Sequence, residues 1–454
     1  MSVWPRPLLV MMLSSTLVML DMHVEPGRSS AAGRGRRPNV LIILTDDQPA
    51  KRAYYRVMPK TMRLLRKGGT HYVNGVTTTS LCCPARTSLL TGQYVHNHGV
   101  KGNSADAVGV RMMPRELQQN GYSTALAGKF LNGWSSKPPG FDKWAMLKTN
   151  SKYFNAPFNI QGRSQTKSGY TTGVIKRYAL RYLRRFEHAR DRKPWFLQVA
   201  TLAPHGPAIP ARRFADARVP RWRETRATSE RFLSDKPGYV RRYPRVGRNE
   251  VRRFRARQLR SLMSVDRMVG RIYHKLRQLG EARNTLTVFL SDNGHVLFEH
   301  RLKGKKFPYN ESVRVPFFVK WGRHFAKGEK RRRIVANIDI APTVYRAANV
   351  DPRRRVDGRP LRGRPRKHIL IEYLASDRKV PRYRGLWTPR WEYVRYLRSR
   401  LWPHGQGREF YRRDDPWQLR NVYGDATPFN DPPRESRLKS WLRSAAHCRG
   451  AGCP

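Results

Sequence analysis

The residues in this chain that could do chemistry lie in a few short stretches. Residues 81–92, Leu-Cys-Cys-Pro-Ala-Arg-Thr-Ser-Leu-Leu-Thr-Gly, place Cys82 two residues before Pro84 and four before Arg86. Cys83 has Ala85 and Thr87 at those offsets, so Cys82 alone fits the frame. On a helix Arg86 would lie one turn on, on the same side as Cys82. Asp46-Asp47 and Asp292-Asn293 offer only oxygen ligands, three of them anionic, which suits a hard cation such as Ca²⁺ or Mg²⁺. Each pair alone reads equally well as a helix cap or an ordinary turn. Acidic residues are scarce, 32 against 91 Lys and Arg, so two such pairs are informative. His205, in Ala203-Pro204-His205-Gly206-Pro207, would as a lone His more often be structural, but its place after a buried run favours a functional one.

Three of these stretches come after continuous apolar runs, which read as strands buried on both faces. Val40 to Thr45 (VLIILT) leads into Asp46-Asp47. Trp195 to Thr201 (WFLQVAT) leads to His205, and Thr285 to Leu290 (TLTVFL) leads into Ser291-Asp292-Asn293-Gly294. Helical patterns lie between, from Arg86 to Leu90 onward, Met113 to Asn120, Ile175 to His188 and Gln258 to Leu279. The alternation predicts an α/β fold, a large mostly parallel sheet sandwiched by helices. Ligands of such sheets gather at the carboxyl ends of the strands, so the polar clusters can converge on one edge. Ala211 to Arg260, dominated by Arg with little periodicity, reads as a long surface insertion leading into the next helix. Beyond about Arg366, short Tyr/Trp-rich runs predict a small antiparallel sheet. The division expected is therefore a main domain over 33–365 and a small C-terminal subdomain over 366–454.

A chain of 454 residues with 39% hydrophobic content can bury a sizeable core, which excludes wholesale disorder. The formal charge of +59 attracts polyanions, although most of the excess reads as Arg-rich composition on solvated faces. No zinc-finger, RNP or helix-turn-helix pattern accompanies it, so no specific nucleic-acid partner is expected. Arg6, the apolar run Leu8 to Leu20 and the small residues Ser29 to Ala32 predict a signal peptide over 1–32. The expectation is an exported protein (secreted, periplasmic or at the cell surface) with no stable membrane span. Export makes a small disulfide between Cys448 and Cys453 reasonable, and no second Cys or His pair suggests zinc.

From Cys82 onward the chain resembles the sulfatase signature C-x-P-[SA]-R-x-S-x-L-L-T-G at every specified position. Gly121 to Lys129 resembles that family's second signature, G-Y-x-T-x-x-x-G-K. The resemblance runs from about Arg37 to Asn421 and implies an alkaline-phosphatase-like fold. It implies that Cys82 is oxidised by a formylglycine-generating enzyme, giving an aldehyde whose hydrate is the nucleophile. One hydroxyl attacks sulfur; the second then allows collapse to the aldehyde and release of sulfate. Asp46, Asp47, Asp292 and Asn293 are implied as ligands of one Ca²⁺, with the formylglycine oxygen at position 82 completing the site. Arg86 would orient the hydrate, Lys129 would hold sulfate, and His205 would stand near the leaving-group oxygen as sulfate ligand and acid. Lys305 resembles the Lys of the family's K-x-x-x-Y-E-x-S-x-R-V-P, with Lys303 and Lys306 as rival candidates.

Many arylsulfatases carry His two residues after the signature Lys; here Leu131 stands there and Asn132 comes next. That run, the Cys-Cys-Pro and Tyr94 to His98 are closer to N-acetylglucosamine-6-sulfatases and related heparan 6-O-sulfatases. Asn132 is then implied to bond the hydrate, and His98, with His96, to line the substrate cleft, a structural role being as well supported. The implied substrate is a sulfated sugar such as a 6-O-sulfated N-acetylglucosamine unit of a glycosaminoglycan, and the basic surface would favour a polyanionic chain. The alternatives are a phosphonate or phosphate-ester hydrolase of the same superfamily, or a non-catalytic polyanion-binding protein.

Overall fold

The computed structural model describes residues 1–4, 36–104, 109–189, 191, 193–322, 324–424 and 435–454. The residues that carry the signal-peptide expectation, Arg6 to Ala32, lie outside them. The chain divides into two compact units, Met1–Arg36 and Arg37–Pro454, and the second holds every strand and helix of the described residues.

Its strands in chain order are β1 Asn39–Thr45, β2 Thr70–Val76, β3 Ser123–Gly128, β4 Lys143–Leu147, β5 Phe154–Ile160, β6 Arg163–Tyr170, β7 Trp195–Ala200 and β8 Thr285–Ser291. Next come a two-strand ribbon, β9 Val296–Leu297 and β10 Lys303–Gly304, then β11 Phe317–Lys320 and β12 Lys330–Ala336. Ten of these form one sheet in the order β12-β2-β11-β8-β1-β7-β3-β4-β5-β6. The centre is parallel: β1 runs with both β7 and β8, and β3 runs with β7 and β4. Only toward the margins does it turn antiparallel, at β11 and at β5–β6.

The apolar runs are continuous because both faces of the sheet are covered. In β1, Leu41 and Ile43 join Val174 and Ile175 of helix Thr171–His188 and Leu259 and Leu262 of helix Arg248–Gln278. Val40, Ile42 and Leu44 face the other way, toward Leu89 and Leu90 of helix Cys82–Thr91, Leu117 of helix Met113–Gln119 and Val344 of helix Ile340–Ala348. Burying each such side chain contributes about 1.5–3 kcal/mol.

The small antiparallel sheet is present, as β13 Ile369–Tyr373, β14 Tyr383–Trp387, β15 Trp391–Tyr396 and β16 Arg408–Arg412 in sequential order. It shares a core with Tyr309 and Val313 and with Leu438 and Leu442 of helix Glu435–His447. Cys448 and Cys453 are joined by a disulfide, and Cys82 and Cys83 are free and buried. Among the described residues, no helix is long and apolar enough to cross a membrane.

The Arg-rich stretch differs from expectation. The helix expected from Gln258 opens at Arg248, with Val251, Phe254, Gln258 and Leu259 buried between exposed Arg252, Arg253 and Arg257. The apolar stripe is present, but so diluted by Arg that its period does not stand out. Nor does the preceding segment merely cover the surface, because Ala227, Tyr239 and Val240 are buried.

Candidate active site

β8, β1, β7 and β3 are adjacent and parallel, so their carboxyl ends lie side by side. Asp292-Asn293 comes after β8, Asp46-Asp47 after β1, His205 lies five residues past β7, and Lys129 directly succeeds β3. Gly128, which ends β3, is required as glycine: its φ is +110°, and a Cβ there would lie 1.9 Å from the Ala200 carbonyl oxygen. Cys82 is the first residue of helix Cys82–Thr91, so the helix N-terminus adds positive potential beside it.

One carboxylate oxygen from each of Asp46, Asp47 and Asp292 lies within 4.8 Å of the other two, and all three residues are buried. Asp47 holds its place with a left-handed backbone, φ +67°. Its Oδ1 accepts from Asn293 Nδ2 and from Lys305 Nζ, each at 2.6 Å, and its amide donates to Asp292 Oδ1 at 3.2 Å. Arg86 is buried across the cluster. Its Nε donates to Asp292 Oδ2 at 2.7 Å, Nη1 to the Lys129 carbonyl at 3.0 Å, and Nη2 lies 3.5 Å from Asp46 Oδ2. Lys129 pairs with the same Asp46 carboxylate. Cys82 Sγ accepts from Lys305 Nζ at 2.7 Å and donates to Asp46 Oδ1 at 3.4 Å.

The charges set the ionisation. Burial opposes the charge on Asp46, but Lys129, His205 and Arg86 hold its carboxyl well below the usual range. Asp47 is lowered likewise, by Lys305 and His205 against burial. Asp292 is raised, by burial and by the Asp46 charge. Burial, and then Asp46, push the Cys82 thiol far up, so an unmodified Cys82 offers a neutral thiol rather than a thiolate.

The donor set fits a hard divalent cation: three buried carboxylates, and Asn293 Oδ1, which is buried with no hydrogen-bond partner. The softer donors grouped there, among the described residues, are Cys82 and His205, which close a second cluster with Asp46.

The other residues singled out from sequence are placed unequally. His205 Nδ1 donates to the Gly206 carbonyl at 2.7 Å and Nε2 lies 3.9 Å from Asp47 Oδ2; 23% of its side chain is exposed. Of the three candidate lysines, Lys305 reaches the cluster, while Lys303 pairs with Glu250 and Lys306 with Asp377. The Asn132 backbone N–H donates to Cys83 Sγ at 3.1 Å, and the side chain's buried Oδ1 has no partner. His98 is not brought into the cluster's contacts. Its Nε2 meets Ser88 Oγ at 2.9 Å, Nδ1 accepts from the Val100 amide at 3.1 Å, and burial pushes the ring down to about 3. His96 is engaged by Glu372 and by the Cys448 carbonyl.

Two further residues stand beside the cluster that sequence reasoning did not single out. His295, two residues after Asn293, is buried against Phe254, and burial lowers it to about 4 despite the Asp47 charge. The Tyr153 hydroxyl donates to the His205 carbonyl at 2.5 Å. Adjacency to Asp292-Asn293-Gly294 could have flagged His295; nothing local could have flagged Tyr153. Gly294 is also fixed by contact: a Cβ there would lie 2.1 Å from the Glu311 carbonyl oxygen, and its amide donates to the Ser312 carbonyl at 2.8 Å.

A mixed, mostly parallel ten-stranded sheet with this acidic and basic cluster on its carboxyl edge defines the alkaline-phosphatase-like class of α/β fold. Within that class the chain belongs to the sulfatase family, whose profile matches residues 38–350. A second profile, N-sulphoglucosamine sulphohydrolase, C-terminal, matches residues 298–431. The extracellular sulfatase SULF-1 homolog of Drosophila melanogaster is 35% identical over 74% of this chain, which spans only 32% of that relative's length. Human N-acetylglucosamine-6-sulfatase is 29% identical over 81% of the chain and 73% of its own. A protein solved in complex with its substrate D-glucosamine-2-N,6-O-disulfate superposes with a TM-score of 0.75 at 23% identity, covering 90% of this chain and 97% of its own.

Proposed function

We propose that this chain hydrolyses sulfate monoesters of sulfated sugars, of the 6-O-sulfated N-acetylglucosamine class, using a formylglycine made from Cys82 and one Ca²⁺. The observation that carries the reading is the position of Cys82: first residue of its helix, its Sγ 2.7 Å from Lys305 Nζ and 3.4 Å from Asp46 Oδ1, beside three buried carboxylates. The substrate class is supported by the human relative's name and by the sugar bound to the structural neighbour.

Asp46, Asp47, Asp292 and Asn293 would hold the cation, which when bound supplies positive charge to lower a hydroxyl pKa and attract sulfate oxygens. Formylglycine at position 82 would supply a hydrated aldehyde as nucleophile. Lys129 and Lys305 place two ammonium groups where sulfate oxygens must come, neutralising charge that grows as the ester bond breaks. His205 spends Nδ1 on the Gly206 carbonyl, which leaves Nε2 on the open side to hand a proton to the departing sugar oxygen. Arg86 ties the helix carrying Cys82 to Asp292 and to the Lys129 backbone, so nucleophile, cation ligands and sulfate ligand keep one geometry. Asn132 Oδ1, buried and unpartnered, is proposed to accept from the hydrate. The 33–365 and 366–454 division stands as a proposal, as does export, which rests on residues 1–32 and on the extracellular relative's name.

Two measurements test the reading. Peptide mass spectrometry across Cys82 in the native host is expected to show the aldehyde; a thiol alone would remove the mechanism. Rates on an aryl sulfate are expected to exceed those on an aryl phosphonate and to fall about a thousandfold in Cys82→Ser. A preference for the phosphonate would overturn the sulfatase reading.

A further inference from the structure

Three cavities line up along the outer side of helix Arg248–Gln278. The first, about 650 Å³, is lined by Lys51, Leu297 and Glu299, each within six residues of Asp47 or Asn293 in the chain. Arg221, Trp222 and Arg223 line it too. Arg56 and Pro220 also line a second cavity, of about 420 Å³. Lys60 and Arg267 line both the second and a third, of about 400 Å³, which Arg271 and Arg277 extend. Shared lining residues set the three in succession along the helix, as a track. It runs along the helix from Arg255 to Arg277, about 33 Å at 1.5 Å per residue.

The track is basic and largely unneutralised. Its acids are already engaged: Glu299 by Lys51, and Asp266 by the Thr61 amide and hydroxyl and the Lys60 amide. Arg56, Arg221, Arg223, Arg267, Arg271 and Arg277 pair with no carboxylate among the described residues. Arg248 and Arg331, by contrast, pair with Glu224 and Glu329. The nearby Lys176 ammonium is lowered by burial and then by Arg267 and Arg271, as expected where cations crowd without counter-charge. Gly270 lets Lys60 lie against the helix: a Cβ there would come within 2.8 Å of Lys60 Cδ.

We infer that this track docks the anionic remainder of a sulfated polysaccharide whose terminal or internal sulfate sits in the catalytic cluster. The inference rests on the sulfatase reading and extends it from one sugar to the polymer. A polysaccharide carrying sulfates at intervals matches a row of separate guanidinium groups. Trp222, which lines the first cavity, adds an aromatic side chain of the kind a pyranose ring packs on.

The test uses the full mature chain and two double variants of equal charge change, R267E/R271E in the track and R398E/R400E after β15. One readout is the salt needed to elute each from immobilised heparin. The other is the ratio of kcat/KM on a long sulfated glycosaminoglycan to that on an aryl sulfate. For R267E/R271E, elution at lower salt and a ratio reduced about tenfold are expected, with R398E/R400E within twofold of wild type. Equal losses in both variants would mean net charge alone acts, and would overturn the inference. So would an unmoved ratio, or a DNA duplex of matched charge displacing the protein from heparin as well as a heparin decasaccharide does. If the wild type cleaves no sulfate ester while R267E/R271E alone elutes early, the sulfatase reading falls and the docking track stands.

Discussion

Two buried carboxylate clusters in this chain are built on opposite plans. At the carboxyl edge of the main sheet, Asp46, Asp47 and Asp292 face Arg86, Lys129 and Lys305. In the small sheet, Glu409 is buried under the hydroxyls of Tyr309, Tyr396 and Tyr411, and neighbouring Glu392 takes one hydrogen bond from Gln418 at 2.9 Å. Full charges meet full charges in the first, and Asp46 and Asp47 are held ionised. In the second, burial pushes both glutamates up, Glu392 to about 8, and neutral donors satisfy Glu409. Burial alone therefore does not mark a working site. What marks it is burial that the surroundings force to remain charged.

The sharpest way to break the contrast is Arg86→Ala. It leaves Asp46 and Asp292 to repel each other in the interior and should cost about 3–5 kcal/mol, read by denaturant unfolding. A loss below about 1 kcal/mol, the scale of an exposed pair, would show that the cluster is far wetter than its burial says. Next, calcium at about a hundred times its dissociation constant should add about 2.7 kcal/mol to wild type, and chelator should reverse it. Asp292→Asn should abolish that response and Glu392→Gln should leave it intact; a calcium-independent melting temperature in wild type would reject the cation site.

Glu392→Gln tests the other cluster through pH. The folded chain keeps a proton on Glu392 that the unfolded chain has released above pH 4.5, so stability falls as pH rises from 4.5 toward 8. The variant should flatten that decline, by on the order of a few kcal/mol between about pH 5 and 8.5. Parallel curves for variant and wild type would mean Glu392 is already ionised in the fold. The smallest effect is expected from Tyr411→Phe, about 1 kcal/mol for one of three hydrogen bonds to Glu409.

The first cluster was legible in sequence and the second was not, for a physical reason. Asp46-Asp47 and Asp292-Asn293 are the residues directly after β-strands whose unbroken apolar runs announce them, and Cys82 and Arg86 sit one helical turn apart. Local spacing therefore carries most of that geometry. Lys305 was singled out from sequence by resemblance, but its different contacts from those of Lys303 and Lys306 needed the fold, because three lysines within four residues differ only in which way the β10 turn points them. The Glu409 cluster gathers Tyr309, Tyr396 and Tyr411 from separate segments, so no window of sequence contains it. The central strands were legible for the same reason as the site. The start of helix Arg248–Gln278 was not, because arginine interrupts its buried stripe.

The contact at Gly294 has a practical bearing. With the Glu311 carbonyl oxygen 2.1 Å from where a methyl would sit, the turn bearing Asp292 and Asn293 and the turn at Tyr309–Val313 behave as one machined joint. Anyone transplanting this edge into another scaffold must carry both segments together. A graft of the metal-ligand turn alone would arrive without the seat that sets its depth.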